Sequence, residues 1–135
     1  MTTANTVYNG ELRTSSTHVK SGNELITDAP TDNHGKGETF SPTDLVATAL
    51  GACMLTVMGI WARQADIDLK DTKVETTKVM ASNPRRVAEV HIDFHFPESL
   101  QMSDEQWAKM KTVALNCPVA KSLHSDLKQV VNFNQ

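Results

Sequence analysis

The sequence predicts an α+β fold, a mainly antiparallel sheet wrapped around one long buried central helix. Three observations predict it. SPTDLVATALGACMLTVMGIWARQ, residues 41–64, carries apolar side chains around more than one helical face. Segments on both sides of it read as strands, and each helix start carries its own capping signal. Strands, long helix, strands, helix, strand is the element order of an α+β domain.

The first strands lie within Thr6 to Asp28, where Val7, Leu12, Val19, Leu25 and Ile26 sit among β-tolerant threonines. Ser21-Gly22-Asn23 supplies turn chemistry for a hairpin between HVK and ELIT. APTDNHGKGETF, residues 29–40, follows as a polar loop, long for a structureless connection and of the kind that carries function. Ser41 is the expected N-cap of the central helix, Pro42 suits its first position, and Asp44 completes a capping-box-like pattern that also favours the dipole.

Leu45, Val46, Ala49, Leu50, Cys53, Met54, Val57, Met58, Ile60 and Trp61 cover more than one face, the mark of a buried helix. Gly51 and Gly59 cost about 1 kcal/mol each relative to alanine, so another backbone is expected close to both. Beyond it, 72–80 and 86–96 read as antiparallel strands joined by ASNPR. In the second, Val90, Ile92, Phe94 and Phe96 alternate with His91, Asp93 and His95. Ser103 caps a second helix with Gln106 at the capping-box position. Pro118 interrupts it, a short helix is expected over 119–124, and LKQVVNFN makes the last strand.

A helix apolar on all sides needs cover on all sides, and one small sheet covers one. The simplest remedy is a second copy of the chain, which predicts an obligate homodimer with the central helices between sheets.

The totals restrict function. The 135 residues suit a single domain, 1–135, with a real core. A net charge of −3 argues against a nucleic-acid partner, and the one basic dipeptide, Arg85-Arg86, sits in a turn. The longest apolar run, 45–62, is broken by Thr48, Gly51, Thr56 and Gly59, so no membrane span is expected. MTTANTVYNG has neither a basic region nor an apolar core, which predicts no signal peptide and a cytoplasmic protein. In a reducing compartment two cysteines are catalytic, metal-binding or simply buried rather than a structural staple.

Cys53, mid-helix, reads either as inert packing or as a shielded reactive thiol. Cys117 precedes the proline that opens the short helix, so it falls at or near an N-cap, where unpaired N–H groups favour a thiolate. On helix physics alone Cys117 is the better nucleophile, though a corner without chemistry fits too. His91, Asp93 and His95 share one strand face, but residues i and i+4 on a strand lie about 13 Å apart, too far to share a metal, and the face reads as solvated. His34 and His124 read as surface residues. No metal site, nucleotide loop or cofactor is expected.

SPTDLVATALGACMLTV, a following hairpin and then LNCPVAKSL together resemble the OsmC/Ohr family of small thiol proteins. The likeness covers most of the chain and is nearer to the broad OsmC-like branch than to the best-known hydroperoxide-resistance members. It implies an intertwined homodimer with helices packed between two sheets and two sites at the interface. The implied activity is cysteine-based reduction of organic hydroperoxides, without a cofactor. Carried over, Cys53 reacts with the peroxide, Cys117 resolves the sulfenic acid as a disulfide, and an external thiol reductant restores both.

In the hydroperoxide-resistance members an N-terminal arginine, held by a glutamate near the start of the central helix, stabilises the thiolate. Arg13 is the only N-terminal arginine here, and the matching helix position is Thr43, leaving Asp44 or Glu38 as possible substitutes. The expected substrate is a small hydrophobic peroxide, in a pocket between chains lined by Met54, Met58, Ile60 and Trp61. The alternative expectation is a dimeric binding or redox-sensing protein without efficient turnover.

Overall fold

The computed structural model describes residues 1–135. Its elements run β1 (Ala4–Gly10), β2 (Arg13–His18), β3 (Glu24–Asp28), α1 (Pro42–Gln64), β4 (Lys73–Ala81), β5 (Arg86–His95), α2 (Asp104–Leu115), α3 (Pro118–Ser122) and β6 (Lys128–Asn134). This is the α+β arrangement that the sequence predicts, with two three-stranded sheets and one long helix. The chain divides into two compact units, Met1–Val46 and Ala47–Gln135.

The first unit is an antiparallel meander, β1-β2-β3. Glu11 and Leu12 connect β1 to β2 with φ of 54° and 59°, the left-handed pair a two-residue hairpin requires. The second turn falls earlier than Ser21-Gly22-Asn23. Thr17 is paired with Glu24, and the His18 N–H donates to Asn23 O at 2.8 Å, which leaves Val19 to Gly22 as the turn. That register sets Arg13 directly across from Asp28. Residues 29–40 are folded back on themselves: Gly35 N donates to Pro30 O and Gly37 N to Ala29 O, and Asp28 N reaches Phe40 O at 3.1 Å. The fully buried residues here, Thr27, Asp28 and Ser41, are polar, whereas Val7, Tyr8, Leu12, Val19, Leu25 and Phe40 are exposed. This sheet has no apolar core of its own.

The N-terminus of α1 forms as the capping box requires. Asp44 N donates to Ser41 Oγ at 3.1 Å and Ser41 N donates to Asp44 Oδ2 at 3.0 Å. At the other end Asp66, at φ 58°, closes a Schellman-type cap, with Ile67 N donating to Ala62 O and Asp66 N to Arg63 O.

In the second unit Ala47, Leu50, Gly51, Met54, Met58 and Ala62 form one buried stripe. Within one chain the opposite face leaves Ala49, Thr56 and Gly59 exposed and Ile60 at 55%, as expected where one small sheet covers one side. The reason is geometric, since the second unit's single sheet covers one side of a cylinder. By length and composition α1 is apolar enough to cross a membrane, because threonine and glycine interrupt its run without lowering its hydropathy much. Yet Leu50, Met54 and Met58 are completely enclosed by protein, the behaviour of a core helix.

Gly51 meets its expected neighbour. A Cβ there would lie 3.0 Å from Val74 Cγ1 and 3.2 Å from Thr76 Oγ1, so glycine lets α1 settle close to β4 without displacing those side chains. Gly59 does not, since a Cβ there would have nothing within 4 Å in this chain.

The second sheet runs β4-β5-β6. Val90, Ile92 and Phe94 of β5 are fully buried against α1 and α2 residues in one cluster, as the alternation predicts. Phe94 stacks on Phe133 with centroids 5.0 Å apart, and Phe96 meets Trp107 edge-on at 4.8 Å. β6 pairs in parallel with β5; the α2–α3 crossover brings the chain back in the same direction, as a parallel pair demands. Ser103 and Gln106 make the reciprocal capping box of α2.

Candidate functional site

Cys53 lies half-buried in the middle of α1, and Cys117 lies fully buried at the corner between α2 and α3. The fold brings the two thiols close enough that Cys53 raises the pKa of Cys117. Neither is in a disulfide.

Cys117 is the N-cap of α3, with Pro118 at the first helical position. Its Sγ accepts a hydrogen bond from Ala120 N at 3.3 Å. The N-cap expectation from Cys-Pro is therefore met, but its electrostatic corollary is not. Burial pushes the Cys117 thiol pKa up, the Ala120 amide pulls it down less strongly, and the neighbouring Cys53 raises it further. The thiol preferred on helix physics alone is thus the one that holds its proton.

Arg13 opens β2, and its side chain is one-third exposed. Its Nε donates to Asp28 Oδ1 at 2.7 Å and its Nη2 to Asp28 Oδ2 at 2.8 Å, a bidentate pair between residues directly across the hairpin. Glu38 is more distant: its Oε1 lies 3.4 Å from Nη2, and its side chain is 63% exposed. The Glu38 backbone N–H donates to Asp28 Oδ2 at 3.1 Å. The Arg13 guanidinium, the main cause, and this amide hold the Asp28 carboxyl below the usual carboxylate range, against the opposing effect of burial.

The two substitutes expected for a helix glutamate fare differently. Asp44 takes part in capping α1 through Ser41, and Thr43 exchanges a hydrogen bond with Ser41 Oγ. Glu38 does reach Arg13. The principal partner, Asp28, is a residue that sequence reasoning missed, and only the hairpin register could have found it.

Of the residues expected to line a substrate pocket, Met54 and Met58 are fully buried in the chain's own core and are removed from that set. They fall on the sheet-facing stripe of α1, whereas Ile60 is exposed and Trp61 half-buried. On the strand face, His91 pairs with Glu89 at 3.1 Å, His95 with Glu75 at 3.4 Å, and Asp93 accepts from Asn132 at 2.8 Å. These side chains turn to separate neighbours, and none of the His, Cys, Asp and Glu residues gather in threes around a metal-sized space.

Fold and thiols together define a class, that of small α+β proteins with a cysteine on a central helix facing a second cysteine at a Cys-Pro corner. The family model for OsmC-like proteins matches residues 35–131, and the chain belongs to that family. A Psychrobacter arcticus structure, provisionally described as an osmotic stress induced and detoxification response protein, is 54% identical. It aligns with a TM-score of 0.94 over 99% of this chain and 96% of its own. The Legionella pneumophila organic hydroperoxide resistance protein OsmC shares the fold at 15% identity and a TM-score of 0.76, covering 100% of this chain and 98% of its own. The Bacillus subtilis organic hydroperoxide resistance protein OhrB does so at 16% identity and 0.70, covering 98% of each chain. No curated protein matches the chain.

Proposed function

We propose that the protein is a thiol-dependent peroxidase that reduces organic hydroperoxides in the cytoplasm. The observation that carries this reading is the Cys53–Cys117 pair, in which the enclosed Cys117 stays a thiol beside a more accessible Cys53. The Cys53 thiolate attacks the terminal peroxide oxygen. The O–O bond breaks, the alkoxide takes a proton and leaves as an alcohol, and Cys53 becomes a sulfenic acid. The Cys117 sulfur then attacks the Cys53 sulfur, the hydroxyl departs with the Cys117 proton as water, and a disulfide forms. Two equivalents of an external thiol reduce it through a mixed disulfide. No cofactor takes part.

Arg13 serves as the cation that stabilises the Cys53 thiolate. The working form is a homodimer. What supports it is the apolar surface that one chain leaves open, namely Ile60 on α1 and Val7, Tyr8, Leu25 and Phe40 in the first unit. Ile60 and Trp61 suit a hydrophobic peroxide better than hydrogen peroxide.

Consumption of cumene hydroperoxide in the presence of dithiothreitol tests the reading. Wild type should turn over and Cys53→Ser should not; equal rates end the proposal. Thr43, standing where the hydroperoxide-resistance members carry a glutamate, favours a second reading, a dimeric binding or redox-sensing protein. That reading predicts slow, single-turnover oxidation.

A further inference from the structure

We infer that Gln129 of β6 is the positioning residue for Cys117, tying the first turn of α3 to the sheet when the Cys117 sulfur turns from its amide to Cys53. This rests on the thiol pair closing as a disulfide, as proposed above, and adds what holds the second sulfur's helix in place. Every group involved lies in the second unit.

Three observations carry it. First, Gln129 stands in a row where apolar residues are the rule. Gln129, Val131 and Phe133 of β6 lie directly across from Val90, Ile92 and Phe94 of β5, all three fully buried. Val131 and Phe133 pack on the core, and a glutamine in the same row needs a partner for its amide. Second, that partner is specific: Gln129 Nε2 donates to Ala120 O at 3.1 Å. Third, Ala120 is the residue whose N–H donates to Cys117 Sγ at 3.3 Å. In the dithiol form Ala120 is thus held at both ends, its N–H on the sulfur and its C=O on Gln129.

Closing the disulfide undoes only one of these ties. Both thiols give up their protons, an S–S bond forms, and two electrons pass to the oxidant. The Cys117 sulfur would move toward Cys53 and release the Ala120 N–H. α3 spans only Pro118–Ser122, too short to hold its own shape, so the bond from Gln129 becomes the tie that remains. Its loss therefore costs the disulfide form more than the dithiol form.

The simplest alternatives predict otherwise. If Gln129 served only to keep the Ala120 N–H on the sulfur, its removal would weaken the dithiol form and favour the disulfide. A merely structural contact would lower the thermal stability of both forms alike and leave their ratio unmoved.

The experiment equilibrates the full chain with graded ratios of reduced to oxidised glutathione, whose disulfide takes up the two electrons and two protons that the pair gives up. Acid quenching and intact mass then separate dithiol, mixed-disulfide and internally closed chains. Wild type is compared with Gln129→Met, which has no donor, Gln129→Glu, which when ionised only accepts, and Gln129→Lys, which can donate. Gln129→Met and Gln129→Glu should lower the ratio of closed to dithiol chains about threefold to tenfold, the worth of one hydrogen bond. That is a shift of roughly 14–30 mV for a two-electron couple. Gln129→Lys should recover most of the loss; the contrast between the Lys and Glu variants decides the matter if Gln129→Met does not fold.

An unchanged or raised ratio in Gln129→Met, or equal ratios in the Glu and Lys variants, overturns the inference and leaves the peroxidase reading intact. If wild type closes and the variants shift as expected, yet cumene hydroperoxide is not consumed, the inference stands and the peroxidase reading falls. A wild type that closes at no glutathione ratio ends both.

Discussion

Cys117 begins the α3 helix with the same sulfur that faces Cys53 on α1. Two elements far apart in the chain are thus joined at one point, and the two thiols differ sharply in their access to water. Cys117 is fully enclosed, whereas Cys53 is partly open. An oxidant arriving from solvent meets Cys53 first, and the second sulfur waits beside it.

One equivalent of an organic hydroperoxide should therefore remove two hydrogens from the intact mass and block both thiols to alkylation. In Cys117→Ser the sulfenic acid on Cys53 should persist and be trapped by dimedone. A wild-type mass that gains oxygen instead would mean that the pair does not close.

Cys117 also predicts a dependence on alkali. Its pKa is raised above the ordinary 9.0 of a thiol, so above that value the unfolded chain loses a proton that the folded chain retains. The native state then loses stability as pH climbs through the interval. Thermal melts of wild type should decline above about pH 9 more steeply than those of Cys117→Ala. Parallel curves would remove the effect.

Asp28 predicts the acid counterpart. Its folded pKa lies below the ordinary 3.8, so its contribution to stability is complete above that value and disappears as pH falls through the folded value. Wild type should lose its advantage over Asp28→Asn in that acid window and keep it near neutrality. A gap between the two that does not vary with pH would contradict this.

The two helix glycines predict opposite outcomes. Gly51→Ala drives a methyl into Val74 and Thr76 and should destabilise by about 1–3 kcal/mol. Gly59→Ala meets open space and should stabilise by up to about 1 kcal/mol. Urea unfolding of both variants checks the pair. Loss of stability in Gly59→Ala would place another chain against that surface.

Ile60, more than half exposed on the open face of α1, is the residue on which to test the proposed self-association. Ile60→Lys should shift a sedimenting dimer toward monomer, whereas an unaltered dimer would put the interface elsewhere.

Much of this was legible in the chain itself. Ser41-Pro42 with Asp44, Ser103 with Gln106, and Cys117-Pro118 each mark a helix start through local hydrogen bonding, so adjacent residues suffice to read them. The alternation of Val90, Ile92 and Phe94 with His91, Asp93 and His95 is equally local. Asp28 was not legible, because its role depends on register. With Ser21-Gly22-Asn23 as the whole loop, Lys20 faces Glu24 and Arg13 falls opposite Thr31. Moving the turn back to 19–22 puts Arg13 opposite Asp28, and no local signal distinguishes those alternatives. One-sided cover of α1 by a single chain was legible, but the face that receives it was not: hydropathy reports which faces want cover, and only the sheets decide among them.

The bond from Ala120 N to the Cys117 sulfur links redox chemistry to backbone order. A disulfide brings its sulfurs to about 2.05 Å, so closing it would draw the Cys117 sulfur toward α1 and off the amide that it steadies. The opening turn of a five-residue helix would then slacken on oxidation and tighten again on reduction, so that hydrogen exchange at a single amide would gauge whether the two thiols have closed.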